Sequence, residues 1–346
     1  MPYNIEMSHP EIIIPFALPP AEHAKDLVAM LSTEMRSDGL AMLLSRAHTL
    51  QRSRFDDFCP VLPHEHWLLK QHQHNYLTQQ TERLSLTLPD GYWFLLNPVN
   101  LHIASNHLVL TDGRQLNLAE SEARSLFDKA QFLAIELGIE LRYGDAAHWF
   151  LRADDWSDFT TASPDAACGH NIEIWSPKGK QIIAWRKLQN EIQMEWFIHP
   201  LQDQRQMRGE KVINGLWLWS GTSVRHNAAA PSMRFSSDAS VDQFIQSPKP
   251  TQLDQLSAAA LAGDWGSWAQ NMIALEHSWF KPLCLALQTG QLRQINLVLS
   301  NSNTLLGSQT SANSLRRFWR RANLNRLWID AGSTPNLLSL SHRATR

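Results

Sequence analysis

The sequence predicts an α/β fold in which a larger body is interrupted by a smaller α+β module. The run "EIIIPFAL" (11–18) is apolar, β-branched and closed by proline, which is typical of a buried strand, and "QINLVLS" (Gln294–Ser300) has the same pattern. Between these two runs, helical segments surround a stretch rich in short strands and tight turns. We therefore expect the body to consist of residues 1–84 and 216–346, and the inserted module to consist of residues 85–215.

The elements that follow the first strand are helical. Leu27, Leu31 and Met35 recur at intervals of four residues, and the apolar residues of 40–47 continue the pattern, so we expect helices over 21–76. From Tyr92 onward, strand runs are separated by Asn-Pro and Asp-Gly pairs. These pairs predict antiparallel strands joined by tight turns.

The rest of the module alternates helices and strands. Apolar spacing predicts helices over 119–138, ended by Gly138, and over 180–198, ended by the His199-Pro200 pair. Strands are predicted between these helices, at residues 139–144, 147–153 and 171–179, the last of them leading into a turn.

The C-terminal part of the body begins with a connector. Residues 232–251 are rich in Ser, Asp, Gln and Pro, which is typical of a loop. Helices are predicted over 253–288, and the buried strand Gln294–Ser300 is followed by a last, basic helix over 311–328.

Composition and charge exclude several classes of protein. A hydrophobic content of 43% with 18% charged residues indicates a packed globular chain, not a disordered one. The net charge of −2 gives no electrostatic reason to expect a nucleic acid or an anionic membrane as partner. We therefore expect that nucleic acid binding is not the function.

The cysteines and the N-terminus predict a cytoplasmic protein. Cys59, Cys168 and Cys284 are far apart and contain no C-x-x-C pair, so neither a disulfide framework nor a cysteine zinc site is expected. The N-terminus carries acidic residues where a signal peptide carries positive charge, and no stretch reaches the roughly 20 apolar residues of a membrane helix.

The segment "HPLQDQRQMRGEKVINGLWLWSGT" (199–222) carries the main candidate site. It has the form H-P-x-x-x-x-R-x-x-x-G, and a strand with two tryptophans follows Asn214. Arg205 and Asn214 could point at one anionic ligand, since the arginine fork binds carboxylates and phosphates in a bidentate manner. In the alternative interpretation, Arg205 caps or salt-bridges a turn and the tryptophans belong to the core.

This segment resembles archaeal-type cofactor-independent phosphoglycerate mutases of the alkaline phosphatase superfamily, whose motif reads H-P-[IV]-N-x-x-R-x-x-x-G-x-x-P-A-N-x-[IV]-W-L-W-G. The matching residues are His199, Pro200, Arg205, Gly209, Asn214, Trp217, Leu218 and Trp219. The departures are Gln202 for Asn, Val212-Ile213 for Pro-Ala, and Ser220 for Gly. The resemblance implies an alkaline-phosphatase-like body with an inserted substrate-type domain, in which His199, Arg205 and Asn214 line the anionic pocket.

The resemblance covers residues 92–222 well and the first 80 residues poorly. It is closer still to RpfE-type bacterial regulatory proteins, for which patterns similar to "RKLQNEIQMEWFIHP", "NGLWLWSGT" and "LRRFWRR" are expected. It therefore implies a regulatory protein on a mutase-like scaffold.

The chemistry that the mutase resemblance implies needs two divalent metals around a phosphoserine. Pro15-Phe16 stands where the family has its first Asp-Gly, and the later histidines (His226, His277 and His342) form no D-x-x-x-H motif. The later acidic residues are scattered without ligand spacing; they are Asp238, Asp242, Asp254, Asp264 and Glu276. We therefore expect no catalytic residues and no metal cofactor.

Two further groups of residues are weaker candidates. Ser53 lies between two arginines that could hold a phosphate, but a serine without metals or a base is inert. The histidines of residues 64–74 are spaced i, i+2 on a predicted helix, which points them apart and favours a solvated face; they are His64, His66, His72 and His74. No Walker loop or G-x-S-x-G elbow is present.

The last predicted helix carries a basic face. Its arginines fall at i, i+4 with Phe318 and Trp319 between them; they are Arg316, Arg317, Arg320, Arg321 and Arg326. Such a face could bind an acidic partner. Alternatively, the aromatic residues dock on the body while the arginines face water.

These observations leave three hypotheses of function. The favoured one is a non-catalytic regulatory or ligand-sensing protein that binds a small phosphorylated ligand on a degenerate mutase-like fold. The second is an active phosphoglycerate mutase or phosphatase-like metalloenzyme, which would interconvert 3- and 2-phosphoglycerate with manganese or zinc as cofactor. The third is a protein that binds a protein partner through the C-terminal arginine helix.

Overall fold

The computed structural model describes residues 10–35, 39–72, 75–104, 106–225, 234–235, 239–317 and 319–328. The chain divides into two compact units. Unit 1 consists of residues 1–64 and 233–346, and unit 2 of residues 65–232. In the sequence, unit 2 is therefore an insertion in unit 1.

The elements follow in chain order. The first part of the chain holds β1 (Glu11–Ile14), α1 (Ala21–Glu34), α2 (Leu40–Arg46), β2 (His48–Arg54) and α3 (Pro63–His72). The middle part holds α4 (Tyr76–Arg83), β3 (Gly91–Val99), β4 (Leu101–Ala104), β5 (His107–Leu110), α5 (Glu120–Glu136), β6 (Glu140–Tyr143), β7 (Trp149–Arg152), α6 (Pro164–Ala167), α7 (Ile172–Trp175), α8 (Ile182–Phe197), α9 (Pro200–Met207) and β8 (Gly215–Val224). The last part holds β9 (Arg234–Phe235), α10 (Val241–Gln246), β10 (Thr251–Gln252), α11 (Ser257–Leu261), α12 (Trp265–Leu275), a π-helical turn (Glu276–Phe280), α13 (Lys281–Thr289), β11 (Gln294–Ser300), β12 (Thr304–Ser311) and α14 (Ala312–Leu315).

Unit 1 is built on a mixed sheet. The strand order is β2-β12-β11-β1-β10-β9, in which β1 runs parallel to both β10 and β11, and β12 and β2 continue the sheet in antiparallel fashion. The central strands are wholly buried, with Ile12 opposite Leu297 and Ile14 opposite Leu299. Their apolar side chains form one core with helices α1, α2 and α10–α13. The α/β fold class predicted from the sequence is confirmed.

Several segments of unit 1 differ from the sequence prediction. The predicted loop over 232–251 contains the helix α10, which Ser240 caps by accepting a hydrogen bond from the N–H of Gln243 at 3.2 Å. Residues 48–54 form the edge strand β2 and not a helix, because they pair in antiparallel fashion with β12. The predicted basic helix over 311–328 is also wrong, since α14 ends at Leu315 and no helix follows in the described residues up to Trp328. Arginines spaced i, i+4 repel one another on a helix, and no carboxylate interrupts their run.

Unit 2 is built on a smaller antiparallel sheet of order β6-β7-β3-β8. Helices α5 and α8 pack over it and enclose an aromatic core that contains Trp149, Trp185 and Trp196. The indole of Trp196 donates to the backbone oxygen of Leu126 at 3.1 Å and so joins α8 to α5. The many tryptophans of this region therefore serve the core.

The boundaries of unit 2 lie at 64/65 and 232/233, whereas the sequence led us to expect 84/85 and 215/216. Strand β8 accounts for the second difference, because its residues pair with β3 along its whole length, from Gly215 opposite Val99 to Val224 opposite Gly91. Residues 171–179 also differ from prediction. They hold the short helix α7, whose first turn is capped by Asn171 through the backbone N–H of Glu173 at 3.0 Å.

Strand β8 contains a bulge at Ser220 and Gly221. The register of β3 and β8 shifts between Trp93 and Leu95, so Ser220 and Gly221 of β8 both lie opposite Phe94 of β3. Ser220 has a φ of 52°, a left-handed conformation that favours glycine.

Candidate functional site

The H-P-x-x-x-x-R-x-x-x-G segment is helix α9 with its two caps, and not a polar turn. His199 is the N-cap, and its Nδ1 accepts a hydrogen bond from the backbone N–H of Leu201 at 3.2 Å. Pro200 takes the first helical position, where its missing N–H costs nothing. Gly209 follows the helix with a φ of 73°, as a glycine C-cap does.

Arg205 is fully buried, and protein groups satisfy its guanidinium. Nε donates to the backbone oxygen of Lys211 at 2.8 Å, and the two terminal nitrogens donate to the Glu122 carboxylate and the backbone oxygen of Leu116. Glu210 lies 3.4 Å from the same guanidinium. An anionic ligand could reach Arg205 only by displacing these partners.

The side-chain amides of Asn214 and Gln202 also form hydrogen bonds with backbone groups. The Asn214 amide accepts from the N–H of Leu101 at 2.7 Å and donates to its oxygen at 2.8 Å. The Gln202 amide accepts from the N–H of Ile213 at 2.9 Å and donates to its oxygen at 2.7 Å. Each side chain therefore substitutes for a strand partner at the entrance to β8.

The three residues predicted to line an anionic pocket thus have structural roles in this structure. Asn214 binds the start of β4. Arg205 binds the segment before α5, the first turn of α5 and the segment after α9. His199 caps α9, and its Nε2 lies 3.3 Å from the Ser125 hydroxyl. Partial burial and the nearby charge of Lys129 lower the pKa of His199, which favours the neutral, hydrogen-bond-accepting ring. These contacts fix the positions of the three side chains.

The carboxyl ends of β1 and β11 in unit 1 form the sheet edge where the resemblance places the metals. Phe16 follows β1 with a φ of 56°, and its buried ring lies 6.2 Å from the His64 imidazole. The indole of Trp268 donates to the Phe16 oxygen at 2.8 Å, which fixes this backbone conformation. The hydroxyl of Ser300, at the end of β11, lies 3.4 Å from Nδ1 of His64. The residues described at this edge are therefore a buried phenyl ring, an indole that binds its backbone, and a buried Ser–His pair.

These residues do not fit a two-metal centre. Such a centre needs several carboxylate and imidazole ligands, whereas a phenyl ring and an indole offer none. Among the described residues, no group of three or more His, Cys, Asp and Glu side chains is placed to hold a metal ion. His226, Asp238 and His342 lie outside the described residues.

Ser53 is not placed as a nucleophile between two cationic groups. It lies on β2, where alternate side chains point to opposite faces, so that Ser53 is buried while Arg52 and Arg54 are exposed. Its hydroxyl accepts a hydrogen bond from Nε2 of Gln51 at 2.8 Å. The two arginines cannot hold a phosphate on this hydroxyl from the other face of the strand.

The predicted histidine and arginine groups are spread out. His64, His66 and His72 lie on α3, where burial and the charge of Lys70 lower the pKa of His66; His74 lies outside the described residues. Arg320 donates to the backbone oxygen of Ser45 at 3.5 Å, and Arg326 to that of Ala47 at 3.1 Å. These two arginines therefore bind carbonyl groups at the C-terminus of α2, where cations are favoured. Phe318 lies outside the described residues.

Unit 2 contains a cleft of about 210 Å³ that the sequence did not predict. We call it the α8 cleft; its lining residues are Leu101, Leu108, Ile172, Ser176, Pro177, Ile182, Trp185, Arg186, Gln189, Gln193, Leu216, Trp217 and Leu218. Three of its polar side chains form one stripe of α8, where Arg186, Gln189 and Gln193 follow at helical spacing, and Ser176 adds a hydroxyl that donates to the Ile172 oxygen at 3.0 Å. That spacing is the only sequence signal for the cleft, and many solvent-facing helices share it.

The comparisons with known proteins show a fold and no family. No family model matches this chain, and no curated protein matches it in sequence. The solved structure of the PH0037 protein from Pyrococcus horikoshii is similar, with a TM-score of 0.51 and 10% identity over 92% of this chain and 91% of that one. The cofactor-independent phosphoglycerate mutase from Thermoplasma acidophilum overlaps with a TM-score of 0.38 and 11% identity, over 94% and 95% of the two chains. This chain therefore shares its α/β fold with the PH0037 protein.

None of the described helices combines the length and the hydropathy needed to cross a bilayer. Cys59, Cys168 and Cys284 form no disulfide with one another. Burial, with the charges of Asp112 and Asp165 nearby, raises the pKa of Cys168 to about 12, so this thiol is protonated at neutral pH.

Proposed function

We propose that this protein is a non-catalytic regulatory or ligand-sensing protein of the RpfE type, built on a degenerate phosphoglycerate-mutase-like fold. The observation that carries the proposal is the set of residues at the carboxyl end of β1 in unit 1. Pro15-Phe16 stands where the resemblance implies the first metal-binding Asp-Gly pair, and the indole of Trp268 donates to the Phe16 backbone oxygen. A chain that retains the scaffold but fills this edge with aromatic rings is better suited to binding than to phosphoryl transfer.

The α9 segment supports the same proposal. Its resemblance to the mutase motif is explained by caps and backbone hydrogen bonds, which a binding protein needs as much as an enzyme does. The match at residues 199–219 therefore does not require retained catalysis.

An activity assay combined with metal analysis tests the proposal. The purified full-length protein is assayed for interconversion of 3- and 2-phosphoglycerate with added Mn²⁺ or Zn²⁺, next to a mutase of known activity. We expect no turnover above the protein-free blank. Metal-dependent turnover with about two equivalents of tightly bound manganese or zinc would overturn the proposal in favour of the metalloenzyme.

A second candidate function is binding of an acidic protein partner near the C-terminus. Arg316, Arg320 and Arg321 are exposed, and the indole of Trp319 is 68% exposed beside them. Charge reversal at Arg317 and Arg321 tests it: loss of a partner captured by the wild type would support this function, and unchanged capture would contradict it.

A further inference from the structure

We propose that the α8 cleft binds a small organic anion with an apolar body. The inference deepens the proposed function, on which it rests, because it gives a ligand-sensing protein a site and a class of ligand. It also replaces the compact, fully polar phosphoglycerate with a molecule of different chemistry.

The walls of the cleft are fixed parts of the core of unit 2. Trp185, Trp217 and Leu218 are each less than 5% exposed. The indole of Trp217 donates to the backbone oxygen of Ala162 at 2.8 Å, which sets the orientation of the ring. A preformed apolar wall favours a ligand that buries rings or methylene groups against it.

The polar groups of the cleft lie on one side of it. Nε2 of Gln189 donates to the backbone oxygen of Leu216 at 3.3 Å, so this amide bridges α8 to β8. Strand β8 is an edge strand of its sheet, and its Leu216 oxygen accepts this hydrogen bond from α8. The amide of Gln193 lies one turn further along the helix. These groups can orient a ligand without adding charge.

Arg186 favours a ligand with a negative charge. It is the one charged side chain among the residues that line the cleft, and it makes no ion pair with any described residue. An exposed guanidinium at the margin of an apolar cleft matches a carboxylate or sulfonate, to which it can donate two parallel hydrogen bonds.

The size of the cleft limits the ligand. Its volume of about 210 Å³ is below the range of about 300–1,000 Å³ that is usual for drug-sized ligands. We therefore expect a molecule with one or two rings, or a short alkyl chain, attached to one acidic group.

Calorimetry with a matched pair of probes tests the inference. The probes are 2-naphthoate and the neutral 2-naphthamide, titrated into the full-length protein. We expect 2-naphthoate to bind and 2-naphthamide to bind at least tenfold more weakly. Equal binding of both probes, or no binding of 2-naphthoate to the wild type, would overturn the proposal.

Two variants locate the site. Arg186→Gln should weaken 2-naphthoate binding at least tenfold, and Leu108→Trp should do the same by filling the cleft from an exposed position on β5. Lys187→Gln is the matched control, because it removes the same charge from the neighbouring exposed position, where Lys187 lies 4.0 Å from Glu191. If Arg186→Gln and Lys187→Gln bind alike, or if Leu108→Trp binds as the wild type does, the α8 cleft is not the site.

The outcomes separate this inference from the proposed function. Mutase activity together with 2-naphthoate binding that depends on Arg186 would overturn the proposed function and leave the site in place. Absence of mutase activity together with 2-naphthoate binding that does not depend on Arg186 would overturn the inferred site and leave the proposed function in place.

Discussion

Arg205 and Glu122, which are 83 residues apart in the sequence, form a buried ion pair that joins α9 to the first turn of α5. Arg208 donates to the other oxygen of the same carboxylate from the surface. The backbone oxygens of Leu116 and Lys211 complete the surroundings of the Arg205 guanidinium. One arginine thereby positions three segments of unit 2.

Truncation of this arginine should destabilise unit 2. Arg205→Ala leaves the Glu122 carboxylate and two backbone oxygens without their buried donor, and we expect the free energy of unfolding to fall by about 3–5 kcal/mol. Urea denaturation followed by tryptophan fluorescence measures the change. The control is Arg208→Ala, which removes the exposed partner of the same carboxylate and should change stability little. Equal stability of the two variants, with weakened binding of a phosphorylated ligand in Arg205→Ala only, would restore a ligand-binding role.

The bulge in β8 gives a second prediction, at Ser220. Its hydroxyl accepts a hydrogen bond from the N–H of Leu77 at 3.2 Å, while its φ of 52° strains a non-glycine residue. Ser220→Ala loses the hydrogen bond and keeps the strain, so it should lower the free energy of unfolding by about 1 kcal/mol. Ser220→Gly loses the same bond but relieves strain of about 1 kcal/mol, so it should remain near the wild type. Thermal unfolding of both variants tests this, and equal melting temperatures would show that the backbone is unstrained.

The sequence could predict the elements whose apolar pattern has a single structural interpretation. Strands β1 and β11 are buried along their length, so their apolar runs have one interpretation. Helix α5 carries an apolar stripe, and Gly138, with a φ of 72°, ends it as predicted. In α5, the apolar stripe and the glycine that follows it predict the same helix end.

Strand β2 and the segment after α14 could not be predicted in this way. Strand β2 lies at the edge of the sheet and is mostly exposed, so its polar sequence carries no clear period. The arginines after α14 have helical spacing, but Arg320 and Arg326 bind the end of α2 instead. In both cases a distant segment of unit 1 determines the local structure.

The role of Arg205 could not be predicted from the sequence for a related reason. An arginine fork fits a protein carboxylate as well as a ligand phosphate, and the position of Glu122 is known only once α5 and α9 are packed. The α8 cleft likewise requires residues from β4, β5, α7, α8 and β8 together. Residue type and spacing could identify the motif, while the partner of each side chain required the fold.

A third prediction concerns Gly39, which precedes α2 in unit 1. A Cβ atom at this position would lie 2.3 Å from Oε1 of Glu276, whose Oε2 accepts a hydrogen bond from the N–H of Leu40 at 2.9 Å. Because Glu276 is buried and bound to the helix start, it cannot move away freely. Gly39→Ala should therefore lower the free energy of unfolding by about 1–3 kcal/mol in urea denaturation.

Gly266 provides the matched control for this substitution. It lies inside α12, and the nearest atom to an added Cβ is Oδ1 of Asp264 at 3.5 Å, an ordinary contact. Gly266→Ala should raise the free energy of unfolding by about 0.5–1 kcal/mol, since alanine favours the helix. Loss of stability in both variants, or gain in both, would contradict the close approach of Gly39 to Glu276.

His199 should make the stability of unit 2 depend on pH. Burial and the charge of Lys129 lower the folded-state pKa of His199 below its ordinary value of 6.5, so the unfolded chain binds the proton more readily. The contribution of His199 to the free energy of unfolding is therefore fully present above pH 6.5 and is lost as the pH falls through the folded-state pKa. Once Nδ1 is protonated, it can no longer accept the hydrogen bond from the N–H of Leu201. His199→Asn keeps a capping side chain that does not titrate. Urea denaturation between pH 5 and pH 8 should show a smaller loss of stability on acidification in the variant, and parallel curves would contradict this role.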